Sequence, residues 1–204
     1  RDRIVEAGNQ GVALCIRGRG SKQFYGGPVE GEILDTAGYK GILDYDPPEL
    51  VITARAGTPL AEIEAQLDQE GQCLAFEPPH FGPGATIGGC IASGLAGPSR
   101  MSRGAIRDFV LGATLLDGRG RVLRFGGQVM KNVAGYDVSR LVTGSLGTLG
   151  VILEVSLKAL PLPPAELTLS CEQSRTEAIA LMNAWAGQPL PITGTCHVQK
   201  RLFV

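Results

Sequence analysis

Residues 17–22 read Arg-Gly-Arg-Gly-Ser-Lys, and this short stretch has the composition of an anion-binding loop. Closely spaced backbone N–H groups beside cationic side chains can hold a diphosphate. The stretch is not a Walker A loop, because no glycine in the chain is followed by Lys-Ser or Lys-Thr. It also departs from the Rossmann fingerprint Gly-x-Gly-x-x-Gly, because Gln23 stands where the third glycine belongs. An ordinary tight turn with solvated basic side chains remains the alternative.

Two further glycine-rich segments could bring bare backbone close to a ligand. Residues 86–94 read Thr-Ile-Gly-Gly-Cys-Ile-Ala-Ser-Gly, and residues 144–150 read Gly-Ser-Leu-Gly-Thr-Leu-Gly. A polar turn, Asn-Val-Ala-Gly-Tyr-Asp, occupies residues 132–137. The chain holds 29 glycines in 204 residues, about twice the usual share. Because glycine has no Cβ, this density in a globular chain indicates backbone that lies against a bound group.

The composition argues against several classes of function. The chain has 19 basic and 20 acidic residues, so we expect no nucleic-acid-binding surface, which would need a net basic stripe. No Cys-x-x-Cys pair occurs, and the cysteine count of five is odd, so neither a metal site nor a disulfide framework is expected. No apolar run reaches the ~18 residues of a membrane span, and no signal peptide is visible. We therefore expect reduced thiols in a cytoplasmic protein that binds no metal.

The periodicity of apolar residues predicts an α+β chain. A helix is predicted where Leu60, Ile63 and Leu67 share one face, with Thr58 as its N-cap and Pro59 in its first position. Residues 78–104 carry seven glycines and are expected to be a functional loop rather than a simple connector. Strands are predicted at residues 12–16, 50–56, 73–76, 110–116, 121–125 and 151–160.

Taken in order, the glycine segments and the stretches between them resemble the FAD-binding domain of the vanillyl-alcohol-oxidase, or PCMH-type, flavoproteins. The resemblance runs from the first helix to Pro164 and is carried by RGRGS, DPPELVITARAGTPLAEI, TIGG, RDFVLG, GYD and GSLGTLGVILE. Within the family, the stretches DYDPPELVITARAGTPL, EPPHFGPGATIGG and MKNVAGYDVSRLVTGS are most similar to the FAD-binding subunits of bacterial glycolate oxidases. D-Lactate and D-2-hydroxyglutarate dehydrogenases are further relatives.

The resemblance implies a PCMH-type FAD-binding domain whose two subdomains clasp an extended FAD. We assign this domain to residues 1–164, with subdomains at roughly residues 1–76 and 77–164. A proline-rich segment, residues 161–164, marks the predicted boundary. Residues 165–204 then predict a β-α-β unit, the incomplete start of a cap or substrate domain.

The resemblance also implies which residues hold FAD. The loop after the first strand would cradle the pyrophosphate, and residues 86–94 would follow the ribityl chain and the flavin edge. The backbone just after Gly150 would meet the adenine end. The predicted set is Arg17, Gly18, Arg19, Gly20, Ser21, Lys22, Thr86, Ile87, Gly88, Gly89, Ala92, Ser93, Val151 and Ile152.

Three further residues bear on how the cofactor is held. Many relatives that bind FAD covalently carry a histidine in the slot of Ser21, so the resemblance implies non-covalent FAD. Asp137 lies in the Gly-Tyr-Asp turn of the family, but a helix N-cap is the favoured interpretation. His80 precedes the second glycine segment, and local packing is favoured over contact with the flavin.

The implied function is that of an FAD-dependent 2-hydroxyacid oxidoreductase, as the FAD-binding subunit of a glycolate oxidase or dehydrogenase complex. Glycolate would be oxidised to glyoxylate, with electrons passed through FAD to a homologous FAD-domain subunit and an iron–sulfur subunit. Any association with the inner membrane would come through these partners. The alternatives are a non-catalytic electron-relay subunit, a D-lactate or other D-2-hydroxyacid dehydrogenase flavodomain, and a relative of the UDP-sugar reductases. No catalytic residue can be assigned, because the second domain builds most of the substrate face in the family.

Overall fold

The computed structural model describes residues 1–128 and 136–204. The predicted turn at residues 132–137 therefore lies mostly outside the described residues. The first half of the chain forms α1 (Asp2–Gln10), β1 (Leu14–Arg17), β2 (Glu32–Asp35), β3 (Ile42–Asp46), β4 (Val51–Arg55), α2 (Leu60–Asp68), β5 (Gln72–Cys73), α3 (Ile87–Ser93) and α4 (Arg100–Arg103). A 3-10 turn (Ile106–Phe109) precedes β6 (Val110–Leu116), β7 (Val122–Gly126), α5 (Val138–Leu141), β8 (Val151–Lys158), β9 (Leu160–Pro161), β10 (Ser170–Glu172), α6 (Arg175–Ala186), β11 (Cys196–Val198) and β12 (Arg201–Phe203). The α+β class predicted from the sequence is confirmed.

The N-terminal region places the Arg-Gly-Arg-Gly-Ser-Lys stretch at the end of a short strand. Helix α1 ends at Gly11, whose φ of 67° is left-handed and turns the chain towards β1. Strand β1 then pairs in parallel with β2. The connection between these two strands, residues 18–31, is named loop A. Because β1 ends at Arg17, residues 18–22 of the predicted cradle open loop A.

The largest sheet has five antiparallel strands in the order β3-β4-β8-β6-β7. Its central pairing joins Val51–Arg55 to Glu154 through Lys158. One sheet therefore contains strands from both predicted subdomains, and a division at residue 76 does not separate two sheets. The predicted hairpin of β6 and β7 is confirmed, with Leu116 opposite Val122 at its closed end.

Helices α2 and α3 pack on the five-stranded sheet and form the main core. Leu60, Ile63 and Leu67 of α2 are fully buried, which confirms the apolar face predicted for this helix. Ile87 and Ile91 of α3 belong to the same buried cluster. Because burial of each such side chain stabilises the fold by about 1.5–3 kcal/mol, α3 is firmly fixed against the sheet.

Thr58 does not cap α2, and this prediction was wrong. The helix begins at Leu60 with Pro59 as its N-cap residue, and no side chain accepts a capping hydrogen bond there. The Thr58 hydroxyl instead accepts from the N–H of Gly41 at 2.9 Å and donates to its carbonyl at 3.2 Å. The side chain thus ties the start of β3 to the connection between β4 and α2, a tertiary contact that a local pattern does not reveal.

Residues 78–104 are not one continuous loop, because they contain α3 and α4. Thr86 is the N-cap of α3, and its Oγ1 accepts from the N–H of Gly89 at 3.3 Å. Gly94 ends the helix with a left-handed φ of 65°. Adjacent glycines lower the helix propensity of this segment, but burial of Ile87 and Ile91 overrides that preference.

The C-terminal region forms a separate antiparallel sheet in the order β10-β12-β11, with α6 between β10 and β11. One further strand, β12, thus follows the β-α-β pattern that the sequence predicted. The region contacts the segment around α4: the Arg103 guanidinium lies 2.7 Å from Glu166, and the Ser102 hydroxyl donates to the carbonyl of Thr193 at 2.6 Å.

Two general features of the described residues concern membranes and metals. None of the described helices combines the length and the apolar character needed to span a bilayer. In the same part of the chain, no three His, Cys, Asp or Glu side chains come together as a possible metal site. The five cysteines are all free thiols.

Candidate functional site

A cavity of about 480 Å³ lies where loop A, helix α3 and the glycine segment at residues 144–150 meet. Its walls are β1 with most of loop A, one side of α3, and residues 146–148. A smaller cavity of about 70 Å³ shares Gly18 and Gly89 with it and reaches Gly88 and Ile152. The larger volume is in the range of about 300–1,000 Å³ that is typical of small-molecule sites.

Another groove, of about 580 Å³, is lined by α2 and the chain that follows it. Glu64, Asp68 and Glu77 stand on its walls. These carboxylates would repel an anionic ligand. The cavity beside loop A is therefore the better match to the anion site that the sequence predicts.

Arg17, Arg19 and Lys22 bring three cations to the cavity of loop A, and no carboxylate among the described residues lines it. None of the three forms an ion pair within the part of the chain that the structure describes. Burial lowers the pKa of Lys22 below its ordinary value, and the nearby Cys90 thiol opposes this shift. A half-buried ammonium without a neighbouring carboxylate is stabilised by an anionic ligand. The cavity therefore fits a ligand that carries negative charge, such as a diphosphate.

Close packing explains why glycine occupies two positions at the cavity. A Cβ added to Gly18 would lie 2.6 Å from Oγ1 of Thr86. A Cβ added to Gly88 would lie 2.6 Å from the Cβ of Ala56 and 2.9 Å from its carbonyl oxygen. All three distances are shorter than real Cβ contacts, so larger residues would push loop A or α3 out of place.

The start of α3 is fixed by backbone hydrogen bonds to the connection between β4 and α2. The N–H of Ile87 donates to the carbonyl of Thr58 at 2.9 Å, and the N–H of Gly88 donates to the carbonyl of Ala56 at 2.8 Å. These bonds hold α3 at a defined distance from the sheet. Its outer side, which includes Gly89, consequently faces loop A across the cavity.

The structure brings most of the predicted site residues together. Nine of them line the larger cavity: Arg17, Gly18, Arg19, Gly20, Ser21, Lys22, Thr86, Gly89 and Ala92. Gly88 and Ile152 line the smaller cavity. The two cavities share Gly18 and Gly89, so these two groups lie around adjoining spaces.

Three predicted residues point elsewhere. The Ile87 side chain is fully buried in the main core. The Ser93 hydroxyl is buried and donates to the carbonyl of Cys90 at 3.0 Å. Val151 packs in a small cluster with Ile4 and Leu116. These side chains therefore support the fold around the cavity rather than line it, and a backbone contact of Val151 with the adenine end stays a prediction.

His80 and Asp137 have the local roles that the sequence analysis favoured. Nε2 of His80 lies 2.9 Å from a carboxylate oxygen of Glu64, on the side of α2. Asp137 is the N-cap of α5, and its Oδ1 accepts from the N–H of Arg140 at 3.2 Å. The N-cap interpretation of Asp137 is confirmed, and Glu64 gives His80 a local partner.

Sequence reasoning missed part of the lining. Residues 25–29 of loop A and residues 146–148 also face the cavity. The second group belongs to the quoted Gly-Ser-Leu-Gly-Thr-Leu-Gly segment, so its glycine spacing was the available signal. Residues 25–29 include Gly26, Gly27 and Pro28, a turn-forming sequence that gives no sign of a ligand by itself.

Comparison with known proteins identifies similar families and folds. The model of a family described as "FAD binding domain" matches residues 1–126. The glycolate oxidase subunit GlcE of Escherichia coli (strain K12) is 53% identical over 205 residues, which cover 98% of this chain and 59% of that protein. The glycolate oxidase subunit GlcD of Bacillus subtilis (strain 168) is 32% identical over 83% of this chain and 36% of its own length.

Among solved structures, alkyldihydroxyacetonephosphate synthase has a similar fold, with a TM-score of 0.68 at 22% sequence identity. The match covers 89% of this chain and 33% of the synthase. At this identity the likeness concerns the fold alone. The chain spans about three fifths of GlcE, since 59% of that protein is covered.

Proposed function

Because this chain belongs to the family of FAD-binding domains, whose cofactor is FAD, we propose that the cavity beside loop A holds the diphosphate of FAD without a covalent bond. The observation that carries this proposal is the lining: three cations, bare glycine backbone and no carboxylate among the described residues. A diphosphate needs N–H donors and positive charge, and a flat ring system needs a wall without side chains. The residues present fit both needs.

Individual roles follow from position. Gly18 to Lys22 would hold the diphosphate, and Thr86 with Gly89 and Ala92 would form the facing wall. Gly88 and Ile152 would border the deeper end of the cofactor in the smaller cavity. Ser21 has no ring nitrogen to bond to a flavin, which supports non-covalent binding. When bound, FAD supplies a two-electron acceptor that the protein side chains lack.

For the whole protein, the proposed activity is oxidation of a small 2-hydroxy acid, with glycolate converted to glyoxylate. The support is the 53% identity to the E. coli glycolate oxidase subunit GlcE and the weaker similarity to GlcD. Both relatives are subunits by name, so we propose that this chain also works in a complex. Its partners would be a homologous FAD-domain subunit and an iron–sulfur subunit that receives the electrons.

A second candidate is a subunit that holds FAD and relays electrons while a partner oxidises the substrate. This candidate rests on the similarity of the chain to two different glycolate oxidase subunits, GlcE and GlcD, since one FAD-holding subunit of such a complex can pass on electrons that another takes from the substrate. Abstraction of a proton from a hydroxy acid needs a base in reach of the substrate, and such groups are typically histidine or a carboxylate. None of the described carboxylates or histidines lines this cavity, so the base would have to lie where the substrate binds, beyond the proposed diphosphate site.

One set of spectra tests both candidates on the full-length protein. We expect FAD to bind, with quenched flavin fluorescence, and glycolate to bleach the flavin absorbance under anaerobic conditions. Bleaching by glycolate only when the partner subunits are added would support the relay. Failure to bind added FAD at all would refute the proposal.

Acid precipitation tests the mode of attachment. The expected result is that all of the flavin appears in the supernatant and none in the protein pellet. Flavin fluorescence that stays with the denatured protein band would contradict non-covalent binding. In that case Cys15, which lines the cavity, would be the first residue to substitute.

A further inference from the structure

Loop A is held over the cavity by contacts on two sides. On one side, a Cβ added to Gly26 would lie 2.7 Å from Cδ1 of Leu146, so loop A rests on the 146–148 wall. On the other side, loop A faces residues 77–85, which are named loop B. Arg19 packs against Gly84 there, because a Cβ on Gly84 would lie 3.0 Å from Cγ of Arg19.

An aromatic pair joins loop A to loop B. The rings of Phe24 and Phe81 meet edge to face, with centroids 5.0 Å apart and an interplanar angle of 74°. Nζ of Lys22 lies 5.8 Å from the centroid of the Phe81 ring. Phe24 is 67% exposed and Phe81 is 54% exposed, so the pair is not part of the buried core.

The backbone of Phe81 is strained in a way that the core does not require. Its φ is 49°, in the left-handed region that a bulky residue rarely adopts. Such strain costs about 1–3 kcal/mol and concentrates at functional sites. The Phe81 ring contacts Phe24 and Lys22 of loop A.

Other kinds of contact do not replace the aromatic pair. Both loops lie wholly within the described residues, and no hydrogen bond or ion pair joins one to the other. The hydrogen bonds inside loop A are local, such as Tyr25 N–H to the carbonyl of Lys22 at 3.0 Å. Loop A is therefore tied to loop B by the aromatic contact and by packing alone.

We propose that Phe81 is a positioning residue: its ring latches loop A to loop B through Phe24 and sets the Lys22 ammonium at the cavity. This inference rests on the proposal that the cavity takes FAD. The latch must open for the cofactor to enter or leave, and it closes loop A over the bound diphosphate. Loss of the latch would speed release of FAD and would leave Lys22 less well placed.

The rate at which FAD dissociates from the full-length protein tests whether the Phe24–Phe81 contact holds loop A closed. In Phe24→Ala and Phe81→Leu, we expect the dissociation rate, followed by the rise in flavin fluorescence, to increase about 3- to 20-fold, from the energies of aromatic and cation–π contacts. Phe81→Tyr keeps the ring and should restore a rate close to that of the unaltered protein. In the double variant Phe24→Ala/Phe81→Leu, the combined effect on the free energy of binding should be smaller than the sum of the two single effects, because both substitutions remove the same contact.

The matched control is Leu167→Ala, which truncates an apolar side chain that is 81% exposed and far from loop A in the chain. It should leave the dissociation rate unchanged. Release that is as fast in Phe81→Tyr as in Phe81→Leu would show that the Phe81 ring is not what holds loop A. Equal rates in Phe81→Leu, Phe24→Ala and the unaltered protein would overturn the proposal.

Hydrogen exchange on the apoprotein tests the latch without FAD. Phe81→Leu should raise amide exchange in loops A and B, and the five-stranded sheet should keep its protection. Unchanged amide exchange in loop A would contradict the latch even if FAD binds well. If the unaltered protein binds no FAD but loop A still loosens in the variant, the proposed function fails and the latch stands.

Discussion

Gly18 of loop A and Thr86 of α3 are in such close contact that a single methyl group does not fit between them. A Cβ on Gly18 would lie 2.6 Å from Oγ1 of Thr86. That oxygen is already used, because it accepts from the N–H of Gly89 and caps α3. The loop that carries the cations and the helix that forms the facing wall are thus fitted to each other at one point.

Gly18→Ala should disturb this contact without straining the backbone, since the φ of Gly18 is not left-handed. The Thr86 side chain must rotate and give up its cap, at a cost of about 0.5–2 kcal/mol. We expect a lower free energy of unfolding in a denaturant titration and about 10-fold weaker FAD binding, from the displaced loop.

Gly118→Ala is the control for this substitution. Gly118 has open space around its Cβ position and no left-handed φ, and it lies in the turn between β6 and β7. It should leave both stability and FAD binding unchanged. Equal FAD affinity in the two variants would show that the Gly18–Thr86 contact does not shape the site.

Gly88 and Gly89 are neighbours in α3 but should lose different amounts of stability when replaced by alanine. A Cβ on Gly88 would collide with Ala56 at 2.6 Å, whereas a Cβ on Gly89 meets only Oγ1 of Thr86 at 3.3 Å. Gly88→Ala should therefore destabilise the protein by about 1–3 kcal/mol through overpacking. Gly89→Ala should cost less stability than Gly88→Ala, since the helix preference of alanine over glycine, about 0.5–1 kcal/mol, offsets the tight contact with Thr86.

The affinity for FAD provides a second test of Gly89→Ala. Gly89 lines the larger cavity, so its new methyl group points at the space proposed for FAD. Titration with FAD should give weaker binding for Gly89→Ala than for the unaltered protein, despite its intact fold. Normal FAD affinity together with normal stability in Gly89→Ala would place the cofactor elsewhere.

The sequence predicted those parts of the fold that depend on local pattern. Leu60, Ile63 and Leu67 recur at helical spacing, and all three are buried as that spacing predicts. Alternating residues and a tight turn likewise predicted the β6–β7 hairpin. In both cases neighbours in sequence are also neighbours in space, so periodicity alone is enough.

Tertiary contacts determine the parts of the fold that local sequence patterns did not predict. Thr58 has the residue type of a helix cap, yet its hydroxyl bonds to Gly41, which is remote in sequence. Residues 87–93 have poor helix propensity, and burial against the sheet makes them helical. Val151 follows the glycine segment that lines the cavity, but pairing with Leu116 of β6 turns its side chain away. Motifs therefore predicted the segments that surround the cavity, and only the packing shows which side chains face it.

Cysteine labelling provides an independent test of where FAD lies. Cys171 and Cys196 are exposed, Cys15 lines the cavity, and Cys90 is fully buried. Burial raises the pKa of the Cys90 thiol to about 12, so it stays protonated and unreactive at neutral pH. In native protein, mass spectrometry should show rapid labelling of Cys171 and Cys196 and no labelling of Cys90.

Added FAD should slow labelling of Cys15 and leave Cys171 and Cys196 unaffected. The two exposed thiols thus serve as internal controls for reagent and protein concentration. Labelling of Cys15 at the same rate with and without saturating FAD would argue against cofactor in the cavity beside loop A. Rapid labelling of Cys90 would contradict the packing of α3 on the sheet.

Lys22 should lower the stability of the apoprotein and raise its affinity for FAD. Burial lowers its pKa in the folded protein, so between the folded and the unfolded pKa the unfolded chain binds more protons and stability rises with pH. Below the folded pKa both states are charged, and the full cost of the half-buried ammonium remains. Lys22→Met should therefore stabilise the apoprotein at neutral pH by about a few tenths of a kcal/mol, because partial exposure screens the charge.

The same substitution should weaken FAD binding about 10- to 100-fold, the usual value of a hydrogen bond to a charged group. Lys22→Arg keeps the charge and serves as the control, with a smaller loss. In the unaltered protein, FAD affinity should fall as the pH rises through the lowered pKa of Lys22, and Lys22→Met should lack this dependence. Thermal melts of the apoprotein and FAD titrations across alkaline pH measure both effects. A destabilised Lys22→Met apoprotein with normal FAD affinity would show that Lys22 supports the fold of loop A and does not bind the diphosphate.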